Sequence, residues 1–145
     1  MRIIKGDLMV EKKNKFSIIA FSGTADKLIP LGVLAQAAAA MGNEVNIFVT
    51  GWALLYFTKK PVQAPFPTEF KDFAPKLMEG MKKTKTPSWV DMIKEAKSMG
   101  AKVYVCSLMA GIMGLDKSMM NDLVDDVVGA AAFLQKAEGG QTIFI

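Results

Sequence analysis

Cys106 is the only cysteine in a chain that holds no histidine, so any thiol chemistry must pass through one sulfur atom. It sits in the stretch Val103-Tyr104-Val105-Cys106-Ser107-Leu108-Met109-Ala110-Gly111. Gly100 stops the helical pattern before it, and the β-branched and aromatic run Val103 to Val105 predicts a short buried strand. Small residues and methionines without β-branching follow, which predicts a helix beginning just after the cysteine. At such a junction backbone N–H groups and the helix dipole favour the thiolate, the form that reacts. The competing reading is a structural cysteine, because free cysteine is among the most buried residue types. Position alone leaves the two level.

Other chemistries have less to stand on. A Cys–His nucleophile pair is impossible without histidine, and no zinc cluster can be assembled from these residues. Gly111-Ile112-Met113-Gly114 has the wrong glycine spacing for a dinucleotide fingerprint, and there is no Walker loop. Cys106, Met109 and Met113 offer soft ligands for Cu(I), but methionines at helical spacing more often fill a core. The expectation is therefore no metal and no cofactor. Lys102 and Lys117 are the cations nearest the cysteine in sequence, and either suits a thiolate counter-charge.

The elements that must position the thiol follow from pattern. Phe16 to Phe21 predicts a strand, Ser22-Gly23-Thr24 a polar turn, and the stretch to Met41 a helix closed by Gly42-Asn43. Pro30 fits that helix if it lies in the first turn. Glu44 to Thr50 predicts a second strand, Gly51 breaks it, and Trp52 to Phe57 reads as a short helix. Ser88 and Asp91 have capping-box spacing ahead of a helix that ends at Gly100. After Gly114, Met120, Leu123, Val124, Val127, Val128 and Ala131 fit one long helix by spacing, although Asp125-Asp126 and Gly129 weaken it. Gln141 to Ile145 predicts a last strand. The opening residues Met1 to Lys15 suit a short arm or an edge strand.

Strand and helix in alternation predict a parallel sheet with helices on both faces. In such a sheet ligands collect beyond the carboxyl ends of the strands. Three such ends are Ser22-Gly23-Thr24, Thr50-Gly51-Trp52 and Cys106-Ser107. As neighbours they would place hydroxyls, an indole and free N–H groups around the thiol, which suits a persulfide or thiosulfonate. Against this, Ser22 and Thr24 equally suit helix capping, and Trp52 equally suits a core.

At 145 residues the chain is expected to be a single domain spanning residues 1–145. Lys59 to Thr86, with four prolines and no sustained period, is expected to be a mobile insertion or lid within it. The net charge of +4 raises nucleic-acid binding, but the lysines are dispersed without interleaved aromatics, so solvated faces are expected instead. No apolar run reaches the ~20 residues of a membrane helix, and the N-terminus lacks a signal peptide's apolar core. A lone cysteine gives no secreted disulfide framework, so a cytoplasmic protein is expected.

Several segments, in order, resemble the DsrE/DsrF-like family, most closely its peroxiredoxin-like subgroup. They are Phe21-Ser22-Gly23-Thr24-Ala25-Asp26-Lys27, Ala40-Met41-Gly42, Val49-Thr50-Gly51-Trp52-Ala53-Leu54, Ala101 to Met109, Met113-Gly114, and Gly129 to Leu134. The resemblance implies a three-layer α/β/α fold of Rossmann or flavodoxin type, with a five-stranded, mainly parallel sheet, usually assembled as a homo-oligomer. It implies a sulfur relay in which Cys106 carries sulfane sulfur between a small sulfur-carrier protein and a rhodanese-like sulfurtransferase. It also implies a short strand near Val124 to Val128 in place of the long helix. The family's Met-Ser-Met after the cysteine is here Met109-Ala110-Gly111, and its Phe-Trp-Gly is here Thr50-Gly51-Trp52-Ala53. Relatives with a second nearby cysteine can resolve a persulfide internally; this chain cannot. Two other readings stand beside the relay. One is a thiol oxidoreductase or one-cysteine peroxidase, disfavoured because Val103 to Val105 replace the expected upstream Pro and Thr. The other is a non-catalytic α/β module that binds a small ligand or partner. With one cysteine, sulfur must leave to another chain, so contacts through Leu108 to Met120 are expected.

Overall fold

The structure, a computed structural model, describes the backbone of residues 2–5 and 8–11 and the whole of residues 12–145. Arg2–Lys5 (β1) pairs antiparallel with Leu8–Glu11 (β2) in a sheet of their own. The opening segment is thus no strand of the main sheet; Met1, Gly6 and Asp7 lie outside the described residues.

The main sheet has five strands, all parallel. They are Lys15–Ala20 (β3), Glu44–Val49 (β4), Lys102–Cys106 (β5), Asp126–Val128 (β6) and Gln141–Phe144 (β7). Their order is β6-β5-β4-β3-β7, so the chain steps outward from β3 to β6 and then returns to the far side of β3. Ala25–Ala40 (α1), Ala74–Lys83 (α2), Trp89–Ser98 (α3), Ser107–Ile112 (α4) and Ala130–Ala137 (α5) are the α-helices.

Alternation along the strands separates two apolar layers. Ile18, Ile47, Val49, Val103 and Val105 share one cluster with Leu28, Leu31 and Ala35 of α1 and Ile93 and Ala96 of α3. The small residues Ala35, Ala38 and Ala39 let α1 approach the sheet closely. The other layer is much smaller: Phe48 and Cys106 from the sheet, Phe133 and Ala137 from α5. Phe48 and Phe133 stack with centroids 4.5 Å apart and planes 9° from parallel. Helices, sheet and helix make the expected three layers.

Local chemistry explains most boundaries. The Ser88 hydroxyl accepts the Asp91 N–H at 3.1 Å and donates to the Asp91 carboxylate at 2.9 Å, fixing the start of α3. Gly42, at φ +84°, closes α1 with the Asn43 N–H on the Ala38 carbonyl at 3.0 Å. Pro30 is a correction: it is the sixth residue of α1, not in the first turn. Its missing N–H leaves the Asp26 carbonyl without a helical donor, tolerable because Asp26 is exposed.

The long helix suggested by the spacing of Met120 to Ala131 is replaced by an extended run ending in β6. Asp125 explains this. Its carboxylate accepts the Val103 N–H at 2.8 Å and pairs with Lys97 of α3, and its own N–H donates to the Val103 carbonyl at 2.8 Å. Within Lys59 to Thr86 the structure holds a 3₁₀ turn, Thr68–Phe70, and α2.

Candidate functional site

Cys106 is the last residue of β5 and the N-cap of α4, at φ −64° and ψ 116°. The strand forms because Val103 and Val105 are β-branched and wholly buried; the helix follows because Ser107 to Ala110 has no β-branched residue, it tolerates Gly111, and it stops before Gly114, at φ +68°. Val105 points into the layer under α1 and α3, so Cys106 points to the opposite face, toward α5. It is 8% exposed, with Tyr104, Met109 and Val128 packed against the same cluster. The setting described around the sulfur is apolar.

Register aligns the strand ends. Ala20 pairs with Val49, Val49 with Val105, and Cys106 with Val128. Thr50 therefore follows β4 where Cys106 ends β5, on the same edge of the sheet. The Thr50 N–H donates to the Ala20 carbonyl at 2.9 Å, and the half-buried hydroxyl makes no capping bond. Gly51 opens a 3₁₀ helix, Gly51–Phe57, at φ +54°, and a Cβ there would lie 2.7 Å from the Phe21 ring. Gly23 is buried, and a Cβ on it would meet the Tyr56 ring and, at 2.8 Å, the Trp52 carbonyl. The turns after β3 and β4 are thus brought together by contacts only glycine permits.

The remaining predicted residues are placed as follows. Ser22 is half-buried, its N–H 3.4 Å from the Ile145 carbonyl. Thr24 is the N-cap of α1, but its side chain makes no cap bond; its carbonyl accepts from Lys27 and Leu28. Trp52 is 63% exposed, so it does not fill the core. Ser107 is exposed at the start of α4, with its Oγ 3.8 Å from where a Gly129 Cβ would stand. Leu108 and Ile112 of α4 are 72% and 70% exposed, a bare apolar surface one turn from the thiol.

Charge near the sulfur differs from the two cations nearest in sequence. Lys102 opens β5, four residues away and roughly 13 Å along the strand. Lys117 is committed to Asp126 at 3.2 Å. The Val127 N–H first, and Lys117 second, hold the Asp126 carboxyl below its ordinary range. Lys136 of α5, absent from the sequence argument, stands 5.0 Å from the centroid of Tyr104, two residues before Cys106 on the same face. Its only sequence signal is its place beside Phe133 and Ala137 on the inner side of α5. Among the described residues no three acidic, cysteine or histidine side chains gather to hold a metal.

A parallel sheet of this order, with a single thiol where its third strand turns into a helix, defines a three-layer α/β protein of DsrE-like architecture. The family model described as "DsrE/DsrF/DrsH-like family" matches residues 12–70 and 59–145, and the chain belongs to that family. The chain is 29% identical to the uncharacterized protein YrkE of Bacillus subtilis (strain 168), over 91% of this chain and 96% of that one. It is 28% identical to the sulfur carrier protein DsrE2 of Allochromatium vinosum, over 87% and 94%. Among solved structures it resembles the ychN protein from E. coli, with TM-score 0.63 at 13% identity, covering 91% of this chain and 99% of that one. It also resembles MTH1491 from Methanobacterium thermoautotrophicum, with TM-score 0.60 at 12% identity, covering 92% and 100%. At these identities the structural likeness speaks for the fold. Among the described residues no helix is long and apolar enough to cross a membrane.

Proposed function

We propose that this protein is a sulfur-relay component that carries sulfane sulfur on Cys106. The observation that carries the reading is the place of the chain's only thiol, at the β5–α4 junction of a chain from this family. In the step envisaged, the Cys106 thiolate attacks the outer sulfur of a donor persulfide. An S–S bond forms on Cys106, the donor's S–S bond breaks, and the donor leaves as a thiolate, with no net oxidation. With tetrathionate as donor the product on Cys106 is a thiosulfonate and the leaving group is thiosulfate. No second cysteine can take the sulfur internally, so it passes to another chain, a small carrier protein or a rhodanese-like sulfurtransferase. Leu108, Ile112 and Met119, exposed within Leu108 to Met120, give that chain or another subunit an apolar surface beside the thiol. Ser22, Thr24, Thr50, Gly51, Trp52 and Ser107 are the residues proposed to border the loaded sulfur once it projects past the sheet edge, with Gly23 shaping the turn.

Intact-mass measurement after exposure to polysulfide or tetrathionate tests this. The wild type gains one adduct, and Cys106→Ser gains none. Peroxide turnover on the same preparation should be absent. A wild type left unmodified by every donor, with a thiol that also resists alkylation in the native state, defeats the proposal and leaves a buried structural cysteine.

A further inference from the structure

Between β4 and α3 the chain carries an amphipathic helix whose apolar side is left largely exposed. No residue of α2 is buried, and Phe70, Phe73 and Leu77 are 60%, 67% and 47% exposed. The turns are continuous: the Phe73 N–H donates to Phe70 at 3.0 Å and the Leu77 N–H to Phe73 at 3.1 Å. The three side chains therefore share one face, and the half-buried Met81 extends it by a turn. Apolar hollows of about 280 and 500 Å³ flank the stripe, and both are walled by Phe73 and Leu77. A ten-residue helix is not held by propensity alone. A stripe of this kind calls for a cover.

The charges select the cover. Residues 66–75 carry Lys71 against Glu69 and Asp72, a net −1; residues 76–85 carry Lys76, Lys82, Lys83 and Lys85 against Glu79, a net +3. An identical segment laid antiparallel sets each negative half, the turns just ahead of α2, over a positive one, whereas a parallel one sets like on like. The antiparallel register that stacks Phe73 on Leu77 of a second copy also sets Phe70 over Gly80, where an added Cβ would meet nothing within 4 Å. The same register sets Glu69 over Met81, within reach of Lys83, whose amine also pairs with Glu79 of its own helix at 3.0 Å. We propose that α2 is a self-association surface on which two copies pair antiparallel about a twofold axis, in this register. The proposal uses none of the sulfur chemistry, and its test has no sulfur readout.

Sedimentation and light scattering of the full chain across a concentration series decide it. Leu77→Asp halves the assembled mass and costs at most the far-UV circular dichroism of the ten residues of α2, because Leu77 is exposed within its own chain. Glu69→Lys and Lys83→Glu each weaken association about tenfold, through two symmetric rim pairs, and the double charge swap restores it. That rescue requires contact between copies, since Glu69 lies in the turn before α2 and Lys83 at its far end, too far apart to pair within one chain. Gly80→Leu, which favours an isolated helix, weakens the assembly by blocking Phe70. A wild type that is monomeric at every concentration, a Leu77→Asp chain of undiminished mass, or a charge swap without rescue overturns the proposal. So does binding to phosphatidylglycerol vesicles, lost in Leu77→Asp, by a chain that does not self-associate.

Discussion

Cys106 was legible as a candidate because residue type and position coincide: a unique thiol after two β-branched residues and before a helix-forming run. Its surroundings were not, because they come from elements distant in sequence. Phe48 lies on β4, and Phe133 lies on a helix whose placement depends on β6. The prediction at this scale is that Cys106→Ala, like Cys106→Ser, loses the sulfur adduct while thermal unfolding stays close to wild type; a collapse of stability would mark a packing residue. Asp125 has the reverse character. Its carboxylate joins Lys97 to the Val103 N–H at a partly buried position, so Asp125→Ala leaves a backbone donor and an amine unpaired. Urea unfolding should show a loss of about 2 kcal/mol, with Asp125→Asn losing less because it keeps an acceptor.

At the scale of elements, the strands and capped helices follow from local signals, and the segment 120–131 shows where such signals stop. Met120, Leu123, Val124, Val127 and Val128 recur at helical spacing, yet the neighbours Val127 and Val128 serve different layers: Val127 joins the α1 and α3 side, Val128 the α5 side. Alternating burial in a three-residue strand cannot be told from helical periodicity without the partner strand, and here the Asp125 link to β5 decides. Asp126 contributes an acid-dependent part. Its carboxyl is held below the ordinary range, chiefly by the Val127 N–H and then by Lys117, so its contribution is complete above the unfolded value of about 3.9 and fades as pH falls through the lower folded value. Asp126→Asn should therefore be less stable than wild type at pH 6, with the two converging once pH falls below the lowered folded value. Urea midpoints measured across that range check the sign; a gap that widens on acidification is the wrong one. For Lys59 to Thr86, the proposal remains a mobile cover or docking segment, and amide exchange reads it directly. Fast exchange is expected over the loop residues 60–67, past the Lys59 N–H that donates to the Met119 carbonyl at 2.9 Å, while slow exchange across the whole segment would make it part of the rigid body.

Taken whole, the molecule is lopsided about its sheet. One face is covered by α1 and α3 with a broad apolar cluster, whereas the other is covered by the eight residues of α5. Under α5 lies the polar side chain of Ser17, fully buried and the one such side-chain atom without a partner among the described residues. The thin face is also the thiol's face. Phe133, 1% exposed and stacked on Phe48, is its main apolar anchor, so Phe133→Ala should cost about 3–4 kcal/mol. Because Phe133 shares a cluster with Cys106, the same change should speed native-state alkylation of the thiol several-fold. Ile93→Ala, a comparably buried site on the thick face, provides the control: it should cost about 2–5 kcal/mol and, in conditions where the chain stays folded, leave the alkylation rate near wild type. Equal acceleration by both variants would mean that Cys106 reacts through global unfolding. Acceleration by Phe133→Ala alone would show that access to the sulfur is governed by the α5 face, the layer of the fold with the least apolar contact to hold it down.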